Sequence, residues 1–249
     1  MDLDVLLTPG GTTADDLGGR AIVVVDVLRA SSTIVTALDN GARAVIPAAD
    51  LGETGRLAAM LDADVSLVGG ERGGVPVAGL TVGNSPLEYG PEAVGGRTVV
   101  LTTTNGTPAI TLGRKAASVA IGCFLNARAV VAHLRAALDA GQPVTILCAG
   151  HEGRVSLEDT ICTGLFLSRL LTPSEATALG DSGQIAYALY QGSQAQLARA
   201  LFGAAHTQRL IGLGFEKDVS YCARIDQTDA LPLYRDGRIT LAPSPVASP

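Results

Sequence analysis

Residues 21–36 read AIVVVDVLRASSTIVT. Four β-branched residues in a row, Ile22, Val23, Val24 and Val25, fit a strand buried on both faces, and the run stops at an acid, Asp26. Arg29 follows three residues later. Ser31, Ser32 and Thr33 then open a segment whose apolar positions Ile34, Val35 and Leu38 predict a helix ending at Asn40-Gly41. An acid, a guanidinium and several hydroxyls thus stand where a strand hands over to a helix, the place where open parallel sheets hold their ligands.

The rest of the chain repeats that unit loosely. Strands are expected at Leu3–Leu7, Ala44–Pro47, Val65–Val68, Arg97–Leu101, Ala117–Ile121 and Val144–Cys148. Helices are expected from Asp50, with Glu53 completing a capping box, from about Pro108, from Asn126 to Ala140 and from Ser156 to Leu171. Strands alternating with helices predict an α/β fold with a mostly parallel sheet. Two or three helical segments between Asp181 and Leu213 read as a cap or flank. The chain closes with an expected strand at Val219–Arg224 and a hairpin turning at Asp236-Gly237.

With 249 residues and 47% hydrophobic content, residues 1–242 can form one large α/β unit or two similar lobes, 1–125 and 126–242, followed by a disordered tail at 243–249. The net charge of −6, with 18 basic residues thinly spread, argues against nucleic acid or an anionic membrane as partner. No signal-peptide pattern opens the chain and no apolar run approaches the length of a membrane span, so a cytoplasmic location is expected. A homodimer stays open. Cys123, Cys148, Cys162 and Cys222 lie far apart in apolar surroundings without C-x-x-C spacing, which predicts reduced core thiols.

Four of the expected strands end in polar turns: Asp26/Arg29; Glu71/Arg72 among four glycines; Thr102 to Thr107; and His151 to Arg154 followed by Glu158/Asp159. If the strands are parallel, these turns share one edge of one sheet. Carboxylates crowded there call for a hard cation held by oxygen ligands, with Mg²⁺ the candidate and Asp26, Glu71, Glu158 and Asp159 its candidate ligands. The arginines, together with the hydroxyls, amide and glycine of Thr103, Thr104, Asn105, Gly106 and Thr107 before a helix N-terminus, point to a small anionic, phosphorylated substrate. Ser31, Ser32, His151, and Asn84 and Ser85 of the long loop 76–96 complete the candidate substrate contacts. Each has a plainer reading. Asp26 and Ser156 with Glu158/Asp159 are also what helix capping alone would select, Glu71 and Arg72 could simply pair, and His133 and His206 read as surface or core residues of helices.

Taken together, Asp-Val-Leu-Arg-Ala-Ser-Ser-Thr-Ile (26–34), Gly-Glu-Arg-Gly-Gly (70–74), Gly-Asn-Ser-Pro-Leu-Glu (83–88), Thr-Thr-Thr-Asn-Gly-Thr (102–107) and Cys-Ala-Gly with Ser-Leu-Glu-Asp (148–150, 156–159) resemble the 2-phosphosulfolactate phosphatase family. His206 and the stretches Asp218-Val219 and Cys222-Ala223 extend the resemblance. It implies a three-layer α/β/α fold and a magnesium-dependent phosphatase acting on 2-phospho-3-sulfolactate in coenzyme M biosynthesis. The family is usually written with an aromatic residue followed by Asp between the second and third motifs, where this chain has Leu80-Thr81. On this reading Mg²⁺ on Asp26, Glu71 and one of Glu158/Asp159 activates water, while Arg29, Arg72, Arg154 and the Thr103–Thr107 amides neutralise charge. The rival mechanism makes Asp26 a nucleophile. A non-catalytic anion- or nucleotide-binding sensor, favoured by the missing acid at Thr81, and a phosphatase of a related phospho-hydroxy acid are the alternatives.

Overall fold

The computed structural model describes residues 2–242; the tail expected to be disordered lies outside them. The first half contains β1 (Leu3–Leu6), β2 (Ala21–Val25), α1 (Ala30–Asp39), β3 (Ala44–Ala48), α2 (Leu51–Met60), β4 (Ser66–Arg72), β5 (Val75–Pro76), α3 (Pro91–Val94), β6 (Thr98–Thr102) and α4 (Gly106–Leu112). Then come β7 (Ser118–Gly122), α5 (Ala127–Asp139), β8 (Val144–Cys148) and α6 (Leu157–Leu170). Five helices follow, α7 (Pro173–Ala176), α8 (Asp181–Ser193), α9 (Leu197–Phe202), α10 (Ala205–Gly212) and α11 (Glu216–Cys222), before the hairpin β9 (Pro232–Arg235) and β10 (Arg238–Leu241).

Strand β2 is buried at every residue because it serves two cores. Ile22 and Val24 join Ile34, Leu38, Val45, Leu101 and Ile110 on the α1/α4 side. Val23 and Val25 face Phe124, Val130, Leu134 and Phe166 on the α5/α6 side. The two-residue period of a strand sends alternate side chains to opposite faces, so an unbroken apolar run requires helices on both, giving three layers. Each such Val or Ile contributes roughly 1.5–3 kcal/mol on full burial. The four cysteines are free and buried, Cys162 and Cys222 within the α5/α6-side core.

The ten strands stand in the order β1-β8-β2-β7-β9-β10-β3-β6-β4-β5. Strands from either side of residue 125 interleave, with β8 between β1 and β2 and the C-terminal hairpin between β7 and β3. Within β1-β8-β2-β7 and within β3-β6-β4 all pairing is parallel. The hairpin adds three antiparallel junctions in succession, β7 with β9, β9 with β10 and β10 with β3. An odd number of reversals makes the two parallel blocks run in opposite directions, so the polar turns do not share one edge of one parallel sheet as expected. Six neighbour steps separate β2 from β4, and at a twist of roughly 20–25° per step these accumulate about 120–150°, which turns the end of β4 back toward the end of β2.

Two local expectations change. The Gly-Gly-Glu-Arg segment continues β4 instead of turning: Gly69 and Gly70 pair with Leu101 and Thr102, and Glu71 and Arg72 pair back with Pro76 and Val75. A Cβ at Gly69 would fall 2.2 Å from the Tyr89 hydroxyl, and one at Gly70 2.3 Å from the Thr102 carbonyl oxygen, so both glycines serve close packing. The segment expected as a strand at Val219–Arg224 is the helix α11. Val219 and Cys222, three residues apart, are buried on one helical face, and Glu216 and Asp218 occupy the acid-favouring first turn. The hairpin forms as read: Asp236 and Gly237 both take positive φ, 50° and 77°, as a tight two-residue turn requires.

Candidate active site

The turn after β2 is braced by its own hydroxyls. Ser31 Oγ accepts the Asp26 N–H at 2.9 Å, Ser32 Oγ donates to the Val27 carbonyl at 2.8 Å, and Thr33 Oγ1 reaches across to the Asn84 carbonyl at 2.9 Å. Ser31 and Ser32, read as substrate contacts, thus shape the loop that presents Asp26. Asp26 Oδ1 accepts the Ala30 N–H at 3.2 Å. Its Oδ2 lies against Gly106, where an added Cβ would be 2.6 Å away, and takes no hydrogen bond from the described residues.

Asp26 and Arg29 line a small cavity of about 20 Å³ together with Leu28, Glu71, Gly73, Gly74, Asn84, Thr104, Asn105, His151, His206 and Leu210. The turns of the two oppositely running blocks therefore converge. Glu71 clamps the turn after the neighbouring parallel strand β6 to its own: Oε1 accepts the Thr104 N–H at 2.6 Å, and Oε2 accepts the Gly74 N–H at 2.6 Å and the Thr104 hydroxyl at 3.2 Å. Arg72 points away from the cavity, donating to the Glu71 carbonyl and Thr102 Oγ1. Thr103 and Thr107 satisfy each other, each hydroxyl oxygen accepting the other's backbone N–H. From this stretch, Thr104 and Asn105 face the cavity and Gly106 packs on Asp26.

The turn after β8 supplies the remaining acids. Ser156 caps α6 by accepting the Asp159 N–H. Asp159 is wholly inward: Oδ1 accepts the Val27 N–H at 2.8 Å and Oδ2 the Gly150 N–H at 3.1 Å, which ties the β2 and β8 turns together. Glu158 Oε1 lies 2.8 Å from His206 Nδ1, and Oε2 is buried with no partner among the described residues. Burial pushes Glu158 up, but the hydrogen bond and charge of His206 outweigh it and hold the carboxyl below its usual value. His206 stacks on His151 with ring centroids 4.0 Å apart. This pair separates the small cavity from a second chamber of about 490 Å³ bordered by Glu152, Arg154, Ser156 and Glu158, so Arg154 stands in the outer chamber and not beside Asp26.

His206 on α10, whose helical pattern reads as a surface or core position, lines the cavity. Asp218 on α11 also reaches the site: Oδ2 pairs with Arg29 Nη1 at 2.7 Å and Oδ1 accepts the Ser85 hydroxyl at 2.6 Å. Ser85 thus meets Asp218, and Asn84 takes the cavity wall. Thr81 is exposed and lines no part of the cavity, so the feature that favoured a sensor lies off the site.

Among the described residues no three His, Cys, Asp or Glu side chains are grouped closely enough to share a metal ion. Glu71 and Asp159 have both oxygens engaged by N–H or O–H donors. Asp26 Oδ2 and the orphaned Glu158 Oε2 remain as oxygens of two carboxylates that feel each other's charge. Mg²⁺ characteristically takes one or two carboxylates and completes its shell with water and substrate phosphate; on the cavity wall Asp26 Oδ2 fits that habit, while Glu158 borders the chamber beyond the histidine pair.

The family model described as 2-phosphosulpholactate phosphatase matches residues 6–237. The chain is 40% identical over 229 residues to a probable 2-phosphosulfolactate phosphatase of Symbiobacterium thermophilum, covering 92% of this chain and 97% of that one. It is 35% identical over 240 residues to a protein of the same description from Clostridium beijerinckii, covering 96% and 99%. A third, from Thermotoga petrophila, is 38% identical over 243 residues, covering 98% and 100%.

Proposed function

The chain belongs to the 2-phosphosulpholactate phosphatase family, a family of phosphoric monoester hydrolases, and from that premise we propose that it cleaves the phosphate of a small anionic 2-hydroxy acid, 2-phospho-3-sulfolactate foremost. That reaction would place it in coenzyme M biosynthesis, in the cytoplasm. The observation that carries the reading is the presence, on the wall of one small cavity, of both an unengaged carboxylate oxygen, Asp26 Oδ2, and the Arg29 guanidinium.

Arg29 spends one N–H on Asp218 and one on the Gly74 carbonyl, so three of its five N–H donors remain for phosphoryl oxygens. Asn84, Thr104 and Asn105 shape the rest of the phosphoryl pocket. His206, held at Nδ1 by Glu158, keeps Nε2 for the leaving oxygen, to which it delivers a proton as the P–O bond breaks. Arg154, in the adjoining chamber, suits the substrate's second acidic arm. Mg²⁺, held by Asp26, would supply charge neutralisation at the phosphoryl group. Attack by water is the primary route. The free Oδ2 beside an anchored Oδ1 favours, as a second route, Asp26 itself as nucleophile.

The test is phosphate release from 2-phosphosulfolactate and from phospholactate, with Mg²⁺ and with EDTA. Turnover of the sulfonated ester that disappears with EDTA is the expected result; no release from either ester under any condition refutes the reading. The stereochemical course at phosphorus, read with an isotopically chiral phosphoryl group, separates the routes: inversion is expected for direct attack by water, and net retention, the mark of two displacements through an Asp26 phosphoryl ester, would refute it.

A further inference from the structure

The Arg29 side chain is 1% exposed and its partner Asp218 is 3% exposed, a buried ion pair at 2.7 Å between residues 189 apart in sequence. The guanidinium is held on three sides. Nη1 donates to Asp218, Nη2 donates to the Gly74 carbonyl at 2.8 Å, and the Phe215 ring lies 4.1 Å below Cζ. Asp218 is itself held, because its other oxygen accepts the Ser85 hydroxyl at 2.6 Å. Ser85 belongs to the loop 83–88, Phe215 and Asp218 to the entry and first turn of α11, and Gly74 to the turn between β4 and β5. Three segments thus converge on the surroundings of one side chain at the edge of the cavity.

A buried ion pair adds little to stability over a well-packed apolar substitute, because desolvation offsets most of its attraction. What such a pair does supply is direction. A planar guanidinium fixed at both Nη atoms and stacked on a ring has one orientation, with its remaining N–H groups committed before any ligand arrives. We propose that Asp218 and Ser85 are positioning residues for the proposed hydrolysis: Ser85 orients the Asp218 carboxylate, and Asp218 aims the Arg29 guanidinium at the phosphoryl oxygens. Neither touches substrate. This inference rests on the phosphatase reading only for the identity of the bound anion.

The experiment is a double-mutant cycle on the full chain, read both as kcat/KM on 2-phosphosulfolactate and as affinity for inorganic phosphate by calorimetry. Asp218→Asn is expected to lower both by about 100-fold and Ser85→Ala by about tenfold, the scale of losing a charge-assisted or a neutral hydrogen bond. Ser85→Thr, which keeps the hydroxyl, recovers most of the loss. In an Arg29→Met background neither substitution lowers phosphate affinity further, because both act through Arg29. Wild-type phosphate affinity in Ser85→Ala and Asp218→Asn, or losses that persist undiminished on Arg29→Met, would overturn the proposal. Thermal melts report whether each variant folds; should Asp218→Asn or Arg29→Met fail to fold, Ser85→Ala against Ser85→Thr decides alone. A wild-type protein that binds phosphate but releases none from its ester would sink the phosphatase reading and leave this test intact.

Discussion

Burial pushes the Asp26 carboxyl up to about 7, against the countervailing charge of His206 and the Ala30 N–H, with Glu71 and Glu158 adding to the rise. The linkage has a definite sign. Between the ordinary value of 3.8 and about 7, the folded protein keeps a proton that the unfolded chain has released, so stability is lost as pH rises through that window. Above it the full cost applies, on the order of 4 kcal/mol at about 1.36 kcal/mol per unit. Asp26→Asn is therefore expected to raise the thermal midpoint near pH 8, with the gain shrinking toward zero near pH 4, while phosphate release falls by roughly 10²–10⁴-fold. A midpoint near pH 8 equal to or below the wild type's would contradict this account of Asp26. The acid itself was legible in the sequence because its polarity interrupts so apolar a strand. His206 and Asp218 were not read into the site, because the signals that place them there are tertiary: one lies on a short helix and the other in a segment whose Val-Ser-Tyr-Cys composition reads as strand.

The N-termini of α1 and α4 meet at Gly106, where a Cβ would fall 2.4 Å from the Ala30 Cβ and 2.6 Å from Asp26 Oδ2. The two helices approach this closely because the smallest residue stands at their contact. Gly106→Ala should leave the protein folded yet displace the carboxylate, and a misplacement of about 1 Å corresponds to roughly 10²-fold in kcat/KM. Unchanged kinetics in a folded Gly106→Ala protein would show that Asp26 needs no such neighbour. Helices and strands were legible to within a residue or two where a cap or an apolar run marked both ends, as at Asp50-Glu53, Ser156 and Val144–Cys148, but β4 runs four residues past its apolar stretch, through glycines that read as a turn. Roles within the turns were not, because a hydroxyl that brace-bonds its own loop, as in Ser31, Ser32, Thr103 and Thr107, is indistinguishable in sequence from one that faces a ligand.

At the scale of the molecule the C-terminal hairpin decides how the site assembles. Nothing in Pro232–Arg235 or Arg238–Leu241 announces insertion between two parallel blocks, and a strand of four residues carries no signal for its place in a sheet; the reversal of direction was therefore beyond the sequence. Ile239, fully buried, is the residue paired with Val45 across the β10–β3 junction. Ile239→Ala is expected to cost about 2–5 kcal/mol in chemical denaturation. A loss below about 1 kcal/mol would mean that the hairpin merely decorates the junction. Oppositely running blocks, turned back by sheet twist, thus bring Asp26, Arg29 and the Glu71-clamped turn to the wall of one cavity. A crystal structure with orthovanadate and Mg²⁺ tests this convergence most directly. The vanadate is expected between Arg29 and Asp26 Oδ2, against Asn84, Thr104 and Asn105; an anion held elsewhere with this cavity empty would rule out a phosphoryl site built from these turns.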